Sequence, residues 1–310
     1  MSSLIKEKFS FPSQNGINTI NGFIIRKAEG PYKGIIQISH GMIEHSGWYE
    51  HFMSFMAENG YVMAAHDHLG HKMSVNDDSE LGFFASKDGY LCVLSDLATT
   101  AGRLRKSFPQ LKFMLLGHSM GSFYARAFAA KYPHLLDGLI ISGTGGPNPL
   151  SVPGRLIISA MIKLKGEKAH SKFITKLIFG KYLKRIGNYT TLVDWLSRDN
   201  EHVQRCIKDP YRTFPFTLCG YRDLVDIVAM ANSRECYVHT NKDIPYLMFA
   251  GDEDPVGDWG KGTTGVYEKY KAAGCNIKFN LYPGARHEML NEINKEQVYN
   301  DILIWVDDNI

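Results

Sequence analysis

The chain has 310 residues, of which 44% are hydrophobic and 22% charged, and these fractions suit a folded domain with a full core. Its formal net charge of +3 is too small to indicate nucleic-acid binding. The five cysteines are odd in number and include no Cys-x-x-Cys pair, which argues against a disulfide framework or a zinc site.

The beginning of the chain, residues 1–16, lacks the apolar segment and small-residue cleavage site of a signal peptide. A run of about 18 apolar residues, which a membrane-spanning helix would need, does not occur in the sequence. Unpaired cysteines are the ordinary state of thiols in the cytoplasm. We therefore expect a cytoplasmic protein.

In residues 8–65, short apolar runs alternate with stretches that have the period of a helix. Residues 8–13 and 20–27 predict an antiparallel pair of strands. Buried strands are predicted at 34–39 and 61–65, with a helix at about 48–59 between them. This alternation is typical of βαβ units and a mostly parallel sheet.

The same pattern continues through the next part of the chain. Ser86 is placed to cap a long helix whose leucines share one face as far as Leu104. An apolar strand is predicted at 112–116, a helix follows to about Tyr132, and residues 139–142 predict another strand.

The pattern changes after Thr144, where the sequence Gly-Gly-Pro-Asn-Pro breaks regular structure. The following residues, up to about 235, show helical stretches without a convincing buried strand. Alternation then resumes, with strands at 244–250 and 276–281 and helices from about 263 and at about 296–307. We expect one α/β core, residues 1–144 and 236–310, interrupted by a helical cap, residues 145–235.

A candidate nucleophile lies between the strand at 112–116 and the next helix. Gly117 to Gly121 read Gly-His-Ser-Met-Gly, which matches the Gly-x-Ser-x-Gly pattern. In that pattern a strand turns sharply into a helix, so the serine is strained and its hydroxyl is exposed, and the glycines remove side chains that would collide. Ser119 is therefore the predicted nucleophile.

The negative charge that forms on an attacked carbonyl oxygen needs N–H donors already in place. One is expected to be the backbone N–H of Met120, directly after the nucleophile. The other is expected to be the N–H of Met42, because Gly41 lets the loop after the strand at 34–39 approach a substrate. His40 is interpreted as a structural hydrogen-bonding residue.

The general base must follow the last strand, since on this kind of sheet the order is Ser, then Asp or Glu, then His. His287 meets this condition, whereas His239 precedes a strand and the histidines at 66, 68 and 71 precede the serine. The acid must follow the strand at 244–250, where Asp252, Glu253 and Asp254 compete. Asp252 could equally form the turn there.

Four segments, taken together, carry a family resemblance. They are His40 to Gly47 (His-Gly-Met-Ile-Glu-His-Ser-Gly), His66 to His71 (His-Asp-His-Leu-Gly-His), Gly117 to Gly121, and Gly284 to His287 (Gly-Ala-Arg-His). In this order they resemble the monoacylglycerol lipase and lysophospholipase group of α/β-hydrolases, often described as serine-aminopeptidase-like. The segment 251–262 is similar to the bacterial branch of that group.

The resemblance implies an α/β-hydrolase fold, with a mostly parallel central sheet flanked by helices and a helical cap. It also implies hydrolysis of carboxylic esters, such as monoacylglycerols or lysophospholipids, with Asp254 as the acid of the triad. Neither a metal nor an organic cofactor is required for that chemistry. The group's animal lipases carry a cysteine just after the acid, where this chain has Val256 and Gly257, so thiol-reactive inhibition there is not expected.

The cap carries most of the clustered positive charge. Between Arg155 and Arg185 nine residues are Lys or Arg, Glu167 is the one acid, and apolar residues are interleaved. Such a segment could lie on an anionic membrane surface and pass an acyl chain to the site. It could equally be a solvated helical cap that its lysines keep soluble.

Two other functions compete with the ester hydrolase. An amidase or aminopeptidase would use the same triad, but only Glu44 and Glu201 offer an acidic group for a free amine. A non-catalytic binding protein of this fold would usually have lost a member of the triad. Met42, Met120 and Met289 could line an acyl pocket, with core packing an equal alternative for Met289.

Overall fold

The computed structural model describes residues 3–310 and contains one eight-stranded sheet. The strands follow one another across the sheet in the order β1-β2-β4-β3-β5-β6-β7-β8. The strands are β1 Leu4–Pro12, β2 Thr19–Lys27, β3 Gly34–Ser39, β4 Tyr61–His66, β5 Lys112–His118, β6 Gly138–Ser142, β7 Pro245–Gly251 and β8 Asn276–Tyr282. Strands β1 and β2 pair antiparallel, β2 pairs antiparallel with β4, and the remaining pairs are parallel.

Ten α-helices connect or flank these strands within residues 3–310. They are α1 Glu50–Glu58, α2 Gly89–Ser107, α3 Met120–Lys131, α4 Ser151–Lys165, α5 Lys172–Phe179, α6 Asn200–Lys208, α7 Leu218–Ala231, α8 Arg234–His239, α9 Lys261–Ala272 and α10 Lys295–Asn309. The mostly parallel sheet flanked by helices, which the sequence pattern predicts, is confirmed.

The helices bury both faces of the sheet. Successive residues of a strand point to opposite faces, so Ile35 packs with α2 and α3 while Ile36 packs with α1 and α10. Strands β3 and β4 are buried along their whole length, which is why they read as mostly apolar runs. The carboxyl ends of the parallel strands thereby meet along one edge of the sheet.

The beginning of α2 differs from the expectation. The helix begins at Gly89, with Asp88 as its N-cap residue in the left-handed region (φ 51°), rather than at Ser86. The Ser86 hydroxyl instead donates a hydrogen bond to Glu167, at 2.5 Å. The prediction of a Ser86 cap was wrong because this side chain has a partner distant in the sequence.

Helices α4 to α7 lie between β6 and β7, and among residues 3–310 the eight strands all lie outside 145–235. Helix α8 crosses the expected boundary at residue 236 and packs against α3. The buried Arg126 of α3 joins both ends of the intervening segment. Its guanidinium donates to the oxygens of Thr144 and Gly145 (both 3.1 Å) at one end and of Ala231 (2.7 Å) and Asn232 (2.9 Å) at the other.

Two further observations concern the whole described chain. Across residues 3–310, no helix has both the length and the apolar character that crossing a bilayer requires. The five cysteines, all within those residues, are unpaired, and four of them are buried.

Candidate active site

Ser119 occupies the turn between the end of β5 and the start of α3. Its backbone has φ 52° and ψ −122°, a conformation that is strained for a residue with a side chain. The backbone N–H of Ser119 donates to the carbonyl of Ser142 on β6, at 3.0 Å, which holds the turn in place. The strain therefore lies at the residue that the motif marks as the nucleophile.

The two glycines of the motif are required by close packing. A β-carbon on Gly121 would lie 1.9 Å from the carbonyl oxygen of Ser39, and one on Gly117 would lie 2.3 Å from that of Gly121. Both distances are too short for any side chain. The sequence pattern is thus a steric requirement of this strand-to-helix turn.

Asp254 and His287 meet in the loops that follow β7 and β8. The distance between Asp254 Oδ2 and His287 Nδ1 is 2.8 Å, and both side chains are buried. Asp254 Oδ1 accepts a further hydrogen bond from the backbone N–H of Val256, at 2.8 Å. Burial alone would lower the pKa of His287, but the charge and hydrogen bond of Asp254 raise it overall above the ordinary value.

The other two acids of this loop are placed differently. Asp252 accepts a hydrogen bond from the backbone N–H of Gly284, at 2.6 Å, and so stabilises the turn after β8. Glu253 is half exposed and lies 3.9 Å from the Arg286 side chain. Of the three candidates, Asp254 is therefore the one that the structure brings to His287.

Ser119 and His287 line one cavity of about 580 Å³, which lies at the carboxyl edge of the sheet. Among residues 3–310, the His287 ring has a hydrogen bond to Asp254 and none to the Ser119 hydroxyl, and hydrogen bonds of this kind commonly tighten only when substrate binds. The rest of the cavity wall is mainly apolar. It includes Phe123, Ile178, Phe179, Leu192, Val193, Phe214, Leu224, Val225, Val228 and Val256.

The two expected N–H donors also belong to this cavity, since Met42 and Met120 both line it. Within the described residues, neither backbone N–H donates a hydrogen bond to another part of the protein. Gly41 brings the loop after β3, which carries Met42, close to Ser119, because a β-carbon on Gly41 would lie 3.0 Å from Ser119 Cβ. Two free donors at the edge of the cavity can receive a developing oxyanion.

Met289, His40, His66 and His71 lie outside the cavity. Met289 is fully buried in the core beside α1 and α10, so the alternative of core packing describes it. His40 accepts a hydrogen bond from the backbone N–H of His68, at 2.9 Å. Burial lowers the pKa of His66 and His71 to about 4, which keeps both rings neutral and structural at pH 7.

The sequence pattern named Glu44 of a polar cluster at one end of the cavity but missed its partners, Arg212 and Glu288. Arg212 lies between the buried carboxylates of Glu44 and Glu288 and pairs with both. His118, which precedes the nucleophile, places its ring 4.7 Å from that of His287. An acid directly after His287 was the one available signal for this pair, because nothing local in the sequence marks Arg212.

One group of side chains has the chemistry of metal ligands. Atoms of His202, Cys206 and Glu288 lie within 4.8 Å of one another. The Glu288 carboxylate, however, is already paired with the Arg212 guanidinium and the His202 ring. This donor set fits an internal ion pair better than a metal ion, because a guanidinium occupies the place of a cation.

The sheet, the strained serine and the acid–histidine pair at its carboxyl edge together define an α/β-hydrolase. Residues 30–294 match the family model described as serine aminopeptidase, S33, and the chain belongs to this family. The predicted resemblance and the predicted fold are therefore confirmed.

Named relatives extend this result. The human monoglyceride lipase is 27% identical over 90% of this chain and 84% of its own length. The monoacylglycerol lipase of Mycolicibacterium smegmatis is 24% identical over 99% of both chains. The crystal structure of a thermostable carboxyl esterase from Bacillus coagulans, in complex with glycerol, superimposes with a TM-score of 0.92 at 30% identity and covers 99% of both chains. The expected enzyme class, a carboxylic ester hydrolase, is confirmed.

Proposed function

We propose that this enzyme cleaves monoacylglycerols or lysophospholipids through an acyl-enzyme on Ser119. The observation that supports this most strongly is the Asp254–His287 pair, which lies on the same cavity as the strained Ser119. A mainly apolar cavity of about 580 Å³ suits an acyl chain. Glycerol in the complex of the Bacillus coagulans esterase supports a glycerol-based alcohol in the substrate.

The mechanism that we propose follows from the positions of these groups. His287 takes the proton of Ser119 as its oxygen attacks the ester carbonyl carbon, and Asp254 stabilises the protonated ring. The N–H groups of Met42 and Met120 hold the oxygen that becomes negative. The ring then gives its proton to the leaving alcohol, and water activated by His287 releases the acid from the serine.

The charges at the cavity favour an ester over an aminopeptidase substrate. Glu44 and Glu288 are both bound to Arg212, so neither carboxylate is free to bind the ammonium group of a peptide. Glu201 is exposed on α6 and does not line the cavity. A neutral acyl ester therefore fits the site better than a free amino terminus.

Two measurements test this proposal together. A fluorophosphonate probe should label the wild-type protein and should fail to label Ser119→Ala, which would distinguish an enzyme from a binding protein of the same fold. Esters of p-nitrophenol with acyl chains of graded length should be hydrolysed much faster than aminoacyl amides. Labelling that persists in Ser119→Ala, or faster cleavage of the amides, would contradict the proposal.

We also propose that the cap contacts an anionic membrane surface and that the protein is otherwise cytoplasmic. Leu156 and Leu164 of α4 and Phe173 of α5 are 66%, 84% and 60% exposed, next to exposed lysines. Exposed apolar side chains among lysines suit the boundary between headgroups and acyl chains. A neighbouring membrane would also supply the lipid substrate.

Reversal of charge tests this part of the proposal. Each basic residue near an anionic surface contributes about 1 kcal/mol, so Lys172→Glu, Lys176→Glu and Lys184→Glu together should weaken vesicle binding about a hundredfold. The matched control reverses the charge of three exposed lysines that lie outside the cap: Lys106, Lys271 and Lys278. Equal binding of the two triple variants to phosphatidylserine vesicles would remove the membrane proposal.

A further inference from the structure

Arg212 belongs to the segment between β6 and β7, yet its side chain reaches into the polar end of the cavity. It ends the short 3₁₀ turn Pro210–Arg212 that follows α6. The Asp209 side chain fixes this turn by accepting the backbone N–H of Tyr211, at 2.9 Å. Only 4% of the Arg212 side chain is exposed.

One side of the Arg212 guanidinium contacts the loop after β3, residues 40–49, which carries the N–H of Met42 and which we call the oxyanion loop. Arg212 Nη1 donates to Glu44 Oε2, at 3.3 Å. The other oxygen of Glu44 accepts the backbone N–H of Gly41 and the hydroxyl of Tyr49, the latter at 2.6 Å. Glu44 thereby holds the His40–Gly41 peptide, one residue before the N–H of Met42.

The other side of the guanidinium contacts the loop after β8, which carries His287 and which we call the base loop. Arg212 Nη2 donates to Glu288 Oε1, and Glu288 directly follows His287. The second oxygen of Glu288 pairs with His202 Nε2, at 2.5 Å, and its backbone N–H donates to Leu196, at 2.7 Å. The base loop is thus held from the segment between β6 and β7.

We infer that Arg212 is a positioning residue that joins the oxyanion loop to the base loop through Glu44 and Glu288. The inference rests on the proposed function, since it assigns Arg212 to the geometry of that same site. A planar guanidinium can bind two carboxylates in fixed directions, which the ammonium group of a lysine cannot do. The segment between β6 and β7 therefore builds part of the catalytic geometry as well as covering the site.

The charges around His287 give this role a measurable signature. The groups that face the His287 ring are Asp254, Glu288, Glu44, His118 and, through the two glutamates, Arg212. After Asp254, the negative charges of Glu288 and Glu44 also raise the pKa of His287. Loss of the Arg212 charge leaves those two carboxylates without their cation, so the pKa of His287 should rise further.

The first experiment separates geometry from charge. Arg212→Lys retains the positive charge but loses the planar guanidinium that binds two carboxylates. The kcat for a soluble p-nitrophenyl ester should therefore fall by about tenfold to a hundredfold with little change in KM. The acidic limb of its kcat/KM profile should stay where it is in the wild type. An unchanged kcat in folded Arg212→Lys overturns the inference, and so does a raised KM with kcat retained, because that would indicate substrate binding.

The second experiment uses the charge alone. Arg212→Met should move the acidic limb of kcat/KM to higher pH, because His287 must be neutral to act as a base. Glu288→Gln should move the limb to lower pH, because a negative charge beside the ring is removed. Shifts in the same direction, or none in either variant, overturn the inference, and the kcat of Arg212→Lys decides the point if Arg212→Met does not fold.

A matched control comes from the same part of the chain. Arg222 of α7 pairs with Asp223, at 3.5 Å, and does not line the cavity, so Arg222→Lys should keep the wild-type kcat and pH profile. Wild-type protein that neither hydrolyses esters nor reacts with a fluorophosphonate overturns the proposed function, and this inference with it. Active wild-type protein with an unaffected Arg212→Lys overturns this inference alone.

Discussion

The segment between β6 and β7 contains two halves that behave differently. In the first half, α4 and α5, one side chain of each helix is fully buried, Ile158 and Ile174, and most of the remaining surface is exposed, although Ile178 and Phe179 at the end of α5 line the cavity. In the second half, α6 and α7, buried side chains are numerous, and Asp209 and Arg212 bond to residues around the site. The difference indicates that the first half exposes most of its surface, while the second half also supplies buried polar contacts to the site.

The largest expected contrast is in amide hydrogen exchange. Local opening free energies in proteins range from near zero up to that of global unfolding. Because α4 and α5 bury little, we expect their amides to exchange at least about a thousandfold faster than those of α6 and α7. Exchange measured by mass spectrometry on peptides from both halves checks this, and equal protection would remove the division.

The next effect concerns the anchor that both halves share. Arg126→Met would leave the carbonyls of Gly145 and Ala231 without their buried donor, so the free energy of unfolding should fall by about 3 kcal/mol or more. Denaturant unfolding measures this. A matched control is Arg103→Met on α2, an exposed arginine, which should change stability little. Equal stability of the two variants would show that Arg126 does not anchor the segment.

A smaller effect, on kcat, is expected when one side-chain contact of either half is removed. Asp209 pairs with His45 (2.9 Å) and Trp48 (3.1 Å) on the oxyanion loop, so Asp209→Ala should lower kcat for a soluble ester about tenfold. The matched variant Arg155→Ala removes an ion pair between α4 and Asp226 and should leave kcat within about twofold of the wild type. Steady-state kinetics of both proteins show whether the polar contacts of the second half affect kcat more than those of the first half.

The smallest effect is the position of the acidic limb of activity. His287 must be neutral to remove the proton of Ser119, and Asp254 raises its pKa above the ordinary value for histidine. Activity should therefore be present at high pH and be lost as the pH falls through that raised pKa, above the pH at which an ordinary histidine titrates. A kcat/KM profile whose acidic limb lies below pH ~6.5 would contradict this.

Much of the core could be predicted from the sequence because its signals are local. Strands such as β3 and β4 are mostly apolar runs, and the steric demands of the turn at Ser119 appear directly as two glycines. The choice of Asp254 among three neighbouring acids needed the family resemblance, since composition and spacing alone left the alternatives open.

The remaining features depend on partners that are distant in the sequence. Arg212 meets Glu44 and Glu288 across 168 and 76 positions, and no local pattern distinguishes it from the other arginines of the segment. The start of α2 was misplaced for the same reason, because the Ser86 hydroxyl bonds to Glu167, 81 positions away. A pattern of neighbouring residues does not show which polar side chains, distant in the sequence, will pair in the fold.

In the mechanism that we propose, Ser119 carries the acyl group during turnover. Rapid mixing of the protein with a p-nitrophenyl ester, followed by acid quench and mass spectrometry, tests it directly. We predict that the wild-type protein gains the mass of one acyl group on the peptide that contains Ser119, and that Ser119→Ala gains none. Steady hydrolysis without this adduct, together with an acyl group on another residue, would contradict the claim.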